Sequence, residues 1–223
     1  GDVYKRQGLM RPKMVIGSKV AAVLAATALV LSGCASSDND DDESTKLFGY
    51  QVTSNLRTTN AGSLEGSTDL AQSLSGRLYP GVYVPGPSGQ LIPNTDLVKT
   101  QVLPGDQRKV IYTLSEAAVF SDGTPVTCAD YLLTFAAGQY PATFGSNMPL
   151  FGDTDSLSCT PGSKEFTVTF KEGRGARWRG LFEPGTVLPA HAVAAKTNRS
   201  VEDLVADLLS DDLERLLSLI HIS

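Results

Sequence analysis

The stretch from Val110 to Asp130 reads VIYTLSEAAVFSDGTPVTCAD, and it decides the fold. It carries three local instructions in order. Val110, Tyr112 and Leu114 alternate with Ile111 and Thr113, which is the period of a strand with one buried face, so a strand is expected over 109–114. Asp122 and Gly123 then form a tight turn in which glycine permits a positive φ, and Pro125 stiffens the approach to the next element. Thr127 with Asp130 three residues later is a capping box that opens a helix. Tyr131, Leu132, Phe135 and Ala136 supply that helix with an apolar face, and Phe120 is expected as a core plug beneath the turn.

Outward from this stretch the chain keeps mixing short strands with helices. Phe166, Val168 and Phe170 align on one face of a strand over 166–170. Residues 79–84 are extended, and Pro85-Gly86-Pro87-Ser88-Gly89 turns the chain. A short helix is expected over 67–74 and a first strand over 50–53. Ser200 caps a helix whose Val201, Leu204, Val205, Leu208, Leu209 and Leu213 follow helical spacing, an ordinary core-facing stripe. The fold class is therefore mixed α/β (α+β). An apolar fraction of 41% is too high for a disordered chain, and a formal charge of −5 excludes a basic nucleic-acid footprint.

The first 33 residues are not part of that body. Arg11, Lys13 and Lys19 precede the apolar run Val20–Leu31, which at about a dozen residues suits a signal-peptide core better than a membrane span. Leu31-Ser32-Gly33-Cys34 looks like a bacterial lipobox. The Cys34 thiol would take a diacylglycerol, and two acyl chains suffice for stable attachment to a membrane. Residues 34–48 are small, polar and acidic, and read as a flexible tether. Asp38, Asp40 and Asp42 alternate as in a calcium loop, but Glu43 and Gly49 stand where an EF-hand needs glycine and glutamate, so no metal is expected there.

The extreme ends are of another kind. Residues 1–7, GDVYKRQ, and residues 217–223, LSLIHIS, can be encoded by opposite strands of one DNA segment. That segment resembles a transposase mosaic end used in sequencing libraries, so both ends are set aside as adapter sequence. The expected organisation is then a lipoprotein signal over 8–33, the tether over 34–48 and a domain over 49–216, with the gene continuing beyond Leu216.

The segment 110–130 also resembles the signature of extracellular solute-binding protein family 5. Its members bind peptides, dipeptides and nickel for ATP-binding-cassette importers. The matching residues are Leu114, Phe120, Ser121-Asp122-Gly123-Thr124-Pro125 and the helix start Thr127–Asp130. Ser88–Asn94 and Leu188-Pro189-Ala190-His191 add two further likenesses, and the whole pattern is most similar to actinobacterial lipoprotein members. The resemblance implies the N-terminal lobe of a two-lobed, type II periplasmic-binding-protein-like fold, incomplete over this length. It implies a monomer without catalysis or cofactor, exported and lipid-anchored to the outer face of the cell membrane. It would capture peptides or similar small solutes for a permease and a separate ATPase subunit. The family's first cleft contacts follow its first strand, which nominates Thr59 and Asn60 as substrate-binding residues.

Two other classes compete. A secreted hydrolase would need a nucleophile elbow, and Gly86-Pro87-Ser88-Gly89 does not fit one. His191 could pair with a serine or an aspartate, but a histidine just after Pro189 reads as a helix-start residue. Asp153 and Asp155 read as exposed loop acids, and Arg174, Arg177 and Arg179 as solvated neighbours of a core-packed Trp178. A purely structural surface lipoprotein is opposed by the 110–125 pattern. Finally, lipidation of Cys34 leaves Cys128 and Cys159 as an even pair in an exported chain, so a disulfide between them is expected.

Overall fold

Four antiparallel strands make the main sheet, with residues 98–102, 109–114, 165–170 and 154–159 as neighbours in that order. The computed structural model describes Gln51, residues 54–106 and residues 108–210. Cys34, Leu213 and the residues expected to be adapter ends, signal and tether lie outside the described residues, as does most of the expected first strand. Before the sheet come α1 (Asp69–Leu78) and a hairpin of β1 (Tyr83–Pro85) and β2 (Leu91–Pro93). The sheet strands are β3 (Val98–Val102), β4 (Lys109–Leu114), β5 (Thr154–Cys159) and β6 (Glu165–Phe170). Helix α2 (Cys128–Gln139) follows β4, and a short α3 (Pro141–Phe144) follows α2. α4 (Ala190–Lys196) and α5 (Val201–Leu209) close the described chain.

Register makes one face of the sheet apolar. Val110 lies opposite Val102 and Val168, and Tyr112 opposite Thr100 and Phe166. Leu157 and Cys159 extend the same face from β5. The other face carries Lys99, Gln101, Thr113, Ser156 and Ser158, all exposed. α2 covers the apolar face and is itself covered by α4 and α5, so it is buried nearly all round rather than along one stripe. Its start is fixed as the sequence predicts. The Thr127 side chain caps it, and Asp130 Oδ2 accepts from the Thr127 N–H at 2.8 Å.

Rings fill the space between the layers. Tyr112 stacks on Phe166 at 4.7 Å between centroids, and Tyr131 stacks on the same ring at 4.7 Å. Phe182 meets Tyr112, Tyr131, Phe151 and Phe166 edge-on. The start of α2 is also tied to the sheet covalently: Cys128 and Cys159 form a disulfide with Cα atoms 5.7 Å apart. Lys164 supports the loop between β4 and α2, its ammonium donating to the carbonyls of Val126 at 2.8 Å and of Ser115 and Ala118 at 3.4 Å.

Two sequence expectations need amendment. The arginines around Trp178 are not simply solvated: Arg174 and Arg177 both reach Asp153 at 3.6 Å, and Arg179 stacks over the Trp178 ring at 4.6 Å. Asp153 is therefore an ion-pair acceptor rather than a bare loop acid. His191 does begin a helix, and it also bonds Asp122 Oδ2 at 2.9 Å while its ring packs on Phe120, so the Asp-Gly turn is pinned to α4. Hydrogen bonds from Thr124 hold Asp122 below the usual carboxylate range, and His191 adds to that effect.

Candidate functional site

Three separated segments meet beside the aromatic core and line a half-open cavity of about 180 Å³. The first is the loop after Thr58. Asn60 folds it on itself: its Oδ1 accepts from the Gly62 N–H at 3.0 Å, and its carbonyl accepts from the Ser63 hydroxyl at 2.8 Å. The Thr59 hydroxyl accepts from Tyr79 at 3.1 Å, and the Thr59 carbonyl accepts from Ser75 on α1 at 3.0 Å.

The second segment is the turn Glu183-Pro184-Gly185-Thr186. The Thr186 N–H donates to the Glu183 carbonyl at 3.1 Å, and Gly185 has φ 78°, the pattern of a type II turn with proline and glycine in their favoured places. Gly185 is needed for a second reason. A Cβ there would stand 2.6 Å from Ser75 Cβ, so only glycine lets the turn lie against α1. That approach lets the Ala61 N–H donate to the Gly185 carbonyl at 3.0 Å, which joins the first segment to the second.

The third segment runs from Asn147 to Phe151 after α3. It is stitched to the first by the Asn147 N–H, which donates to the Gly62 carbonyl at 2.7 Å. Met148, Pro149, Leu150, Phe151 and Phe182 give the cavity its apolar wall, and Gln72, Asn147, Glu183 and Thr186 give it polar groups. Gln72 is oriented by its Nε2, which donates to the Ala61 carbonyl at 3.0 Å. Phe182 has a left-handed backbone at φ 56°, rare for a bulky side chain, and a cost of about 1 kcal/mol or more persists because four surrounding rings hold it. The next residue is Glu183. It is exposed by surface area as a whole residue, yet partial desolvation pushes its carboxyl above the usual carboxylate range.

Of the residues nominated from sequence, Thr59 and Asn60 sit in the loop that builds the cavity, but Ala61, not they, lines it. Glu183, Gln72, Thr186 and Asn147 were not nominated. The Pro184-Gly185 pair was the one local signal for that region, since it marks a turn. Cys128 and Cys159 lie in the scaffold and do not line the cavity.

No family model matches the chain. An uncharacterized lipoprotein of Mycobacterium tuberculosis is 31% identical over 203 residues, which is 89% of this chain and 34% of the relative. An uncharacterized lipoprotein of Mycobacterium leprae is 29% identical over 157 residues, covering 69% of this chain and 28% of the relative. The chain thus spans about a third of the length of the curated relatives it matches. Among solved structures, a periplasmic EDTA-binding protein superposes with a TM-score of 0.59 at 24% identity, over 71% of this chain and 29% of that one. The mixed α/β fold of this chain is that of part of a type II periplasmic binding protein.

Proposed function

We propose that the chain belongs to an exported, lipid-anchored solute-binding protein that captures short peptides or similar small solutes for an ATP-driven importer. The observation that carries this reading is the fold shared with part of a periplasmic binding protein, with a cavity built beside its aromatic core. The likeness to mycobacterial proteins named as lipoproteins supports attachment through Cys34. The cavity is smaller than the roughly 300 Å³ at which whole small-molecule sites begin, so it suits one side chain of a ligand. Thr59 and Asn60 are proposed to face the backbone of that ligand from the loop above.

The reading assigns no catalysis. His191 Nε2 is engaged by Asp122 and its Nδ1 is buried without a partner, so the pair activates no hydroxyl among the described residues. A metal chelate is the second reading, since the structural relative is named for binding EDTA. A polyanion is disfavoured here, because no lysine or arginine lines the cavity among the described residues.

Calorimetry with a peptide library, on protein made from the full reading frame, tests the reading. Micromolar binding of short peptides supports it. Binding of another solute with no response to any peptide overturns the peptide assignment, and no binding of any solute overturns the reading itself. For the loop, Asn60→Asp keeps the Oδ1 acceptor for Gly62 and removes the amide donor. Unchanged affinity in that variant and in Thr59→Ala removes both residues from the site.

A further inference from the structure

Glu183 is the one charged residue lining the cavity among the described residues. No ion pair of the described residues includes it. The arginines of the preceding segment have other partners: Arg174 and Arg177 reach Asp153, and Arg179 lies over Trp178. A carboxylate drawn partly out of water beside an apolar wall is unfavourable without a counter-charge, and burial does raise the Glu183 carboxyl. The strained backbone at Phe182 leads directly into Glu183. A neutral apolar ligand would bury this group further with no return, and an anionic one would be repelled.

The wall describes the rest of the ligand. Met148, Leu150 and Phe182 offer an apolar surface for methylene groups. The Gln72 amide nitrogen is held by Ala61, which leaves its Oε1 as an acceptor, and the Thr186 hydroxyl donates to the Glu183 carbonyl at 2.7 Å, which leaves its lone pairs as acceptors. Carboxylate, amide oxygen and hydroxyl together suit a group with several N–H donors. The cavity of about 180 Å³ has room for about one long side chain.

We propose that this cavity is a subsite for a primary alkylammonium group, with its methylene stem along Met148, Leu150 and Phe182 and its nitrogen at Glu183. The inference rests on the solute-binding reading and narrows it. A lysine side chain of a peptide and a free diamine share this chemistry.

Calorimetry on protein from the full reading frame separates the possibilities, using Ala-Lys-Ala, its norleucine and glutamate counterparts, and 1,5-diaminopentane. The lysine peptide should bind about tenfold tighter than the norleucine peptide, which has a similar stem and no charge, and the glutamate peptide should bind weakest. Glu183→Gln should bring the lysine-to-norleucine ratio close to one, because it weakens lysine binding and removes the cost of burying a carboxylate beside norleucine. Equal lysine and norleucine affinities in the unsubstituted protein overturn the inference and leave the solute-binding reading standing. A lysine preference that survives in Glu183→Gln also overturns it. Binding of the diamine alone, lost in Glu183→Gln, supports the subsite and removes peptides as its ligands. Binding of none of the four overturns the inference, and it extends to the broader reading only if the peptide library also fails.

Discussion

Breaking the Cys128–Cys159 bridge should lower stability by an amount the loop length sets. The cysteines are 31 residues apart, and chain-entropy arithmetic for such a loop gives about 3.7 kcal/mol. At roughly 2–4 °C per kcal/mol for a domain of this size, the melting temperature should fall by about 7–15 °C, toward the lower end where the unfolded chain keeps some structure. The bridge joins the capped start of α2 to β5, one of the two edge strands of the sheet. The loss should therefore begin at that edge, with faster amide exchange in 154–159 and 127–131 than in β4. The perturbation is the double variant Cys128→Ala with Cys159→Ala, compared with the reduced and oxidised parent by thermal unfolding. Cys128 is completely buried, so alanine also removes a packed sulfur, and the reduced parent controls for that term. A fall of less than about 2 °C on reduction, or two readily alkylated thiols at these positions in the native protein, would refute the reasoning.

Gly185→Ala should cost about 2–3 kcal/mol by urea unfolding, since it combines a left-handed backbone with a Cβ meeting Ser75, whereas Gly89→Ala, at φ 77° with nothing nearby, should cost about 1 kcal/mol; equal costs would mean that contact with α1 does not matter. Lys164→Met removes the ammonium from the Val126, Ser115 and Ala118 carbonyls and should cost about 1.5–3 kcal/mol, with faster hydrogen exchange across 115–126; unchanged exchange there would show that the loop holds without it. Asp130 is pushed up mainly by burial, so its share of stability is fully present below its unfolded value of 3.8 and is lost as pH rises through its folded value. Asp130→Asn lacks that titration, so its deficit in urea unfolding should be larger at about pH 3.5 than at about pH 7, and the opposite ordering would contradict the assignment.

What the sequence made legible was the part in which local signals agree. The capping box at Thr127 and Asp130 could be read because two residues at fixed spacing satisfy each other wherever the helix packs. β4 and β6 alternate cleanly because one face is buried and the other is wet. β5 did not announce itself. It is an edge strand with polar residues outward, and an irregularity between Thr154 and Ser156 shifts its register and breaks the alternation. α2 showed only one apolar face, because its second covering by α4 and α5 comes from a part of the chain some sixty residues later. The cavity was harder still. Gln72, Asn147 and Glu183 are single polar residues far apart in sequence, and no periodicity marks such a residue as facing a cavity.

The stretch that identifies the fold and the cavity proposed to bind are different places, and the structure shows how one supports the other. No residue of 110–130 lines the cavity. Asp130 Oδ1 accepts from the Ala190 N–H at 2.7 Å, and Thr134, one turn further along α2, accepts from the Leu188 N–H at 2.8 Å while donating to the Asp130 carbonyl at 2.9 Å. These bonds fix the chain at 188–190, directly after the Glu183–Thr186 turn that forms one wall. His191 adds a tie from the same segment back to the Asp122 turn. The motif therefore acts as a clamp on the segment that ends the cavity wall, holding it against a helix that is itself locked between the sheet and α4 and α5. Substitutions within the motif should then register first as lost stability and only secondarily as altered binding, whereas changes at Glu183 should alter ligand preference in a protein that still folds.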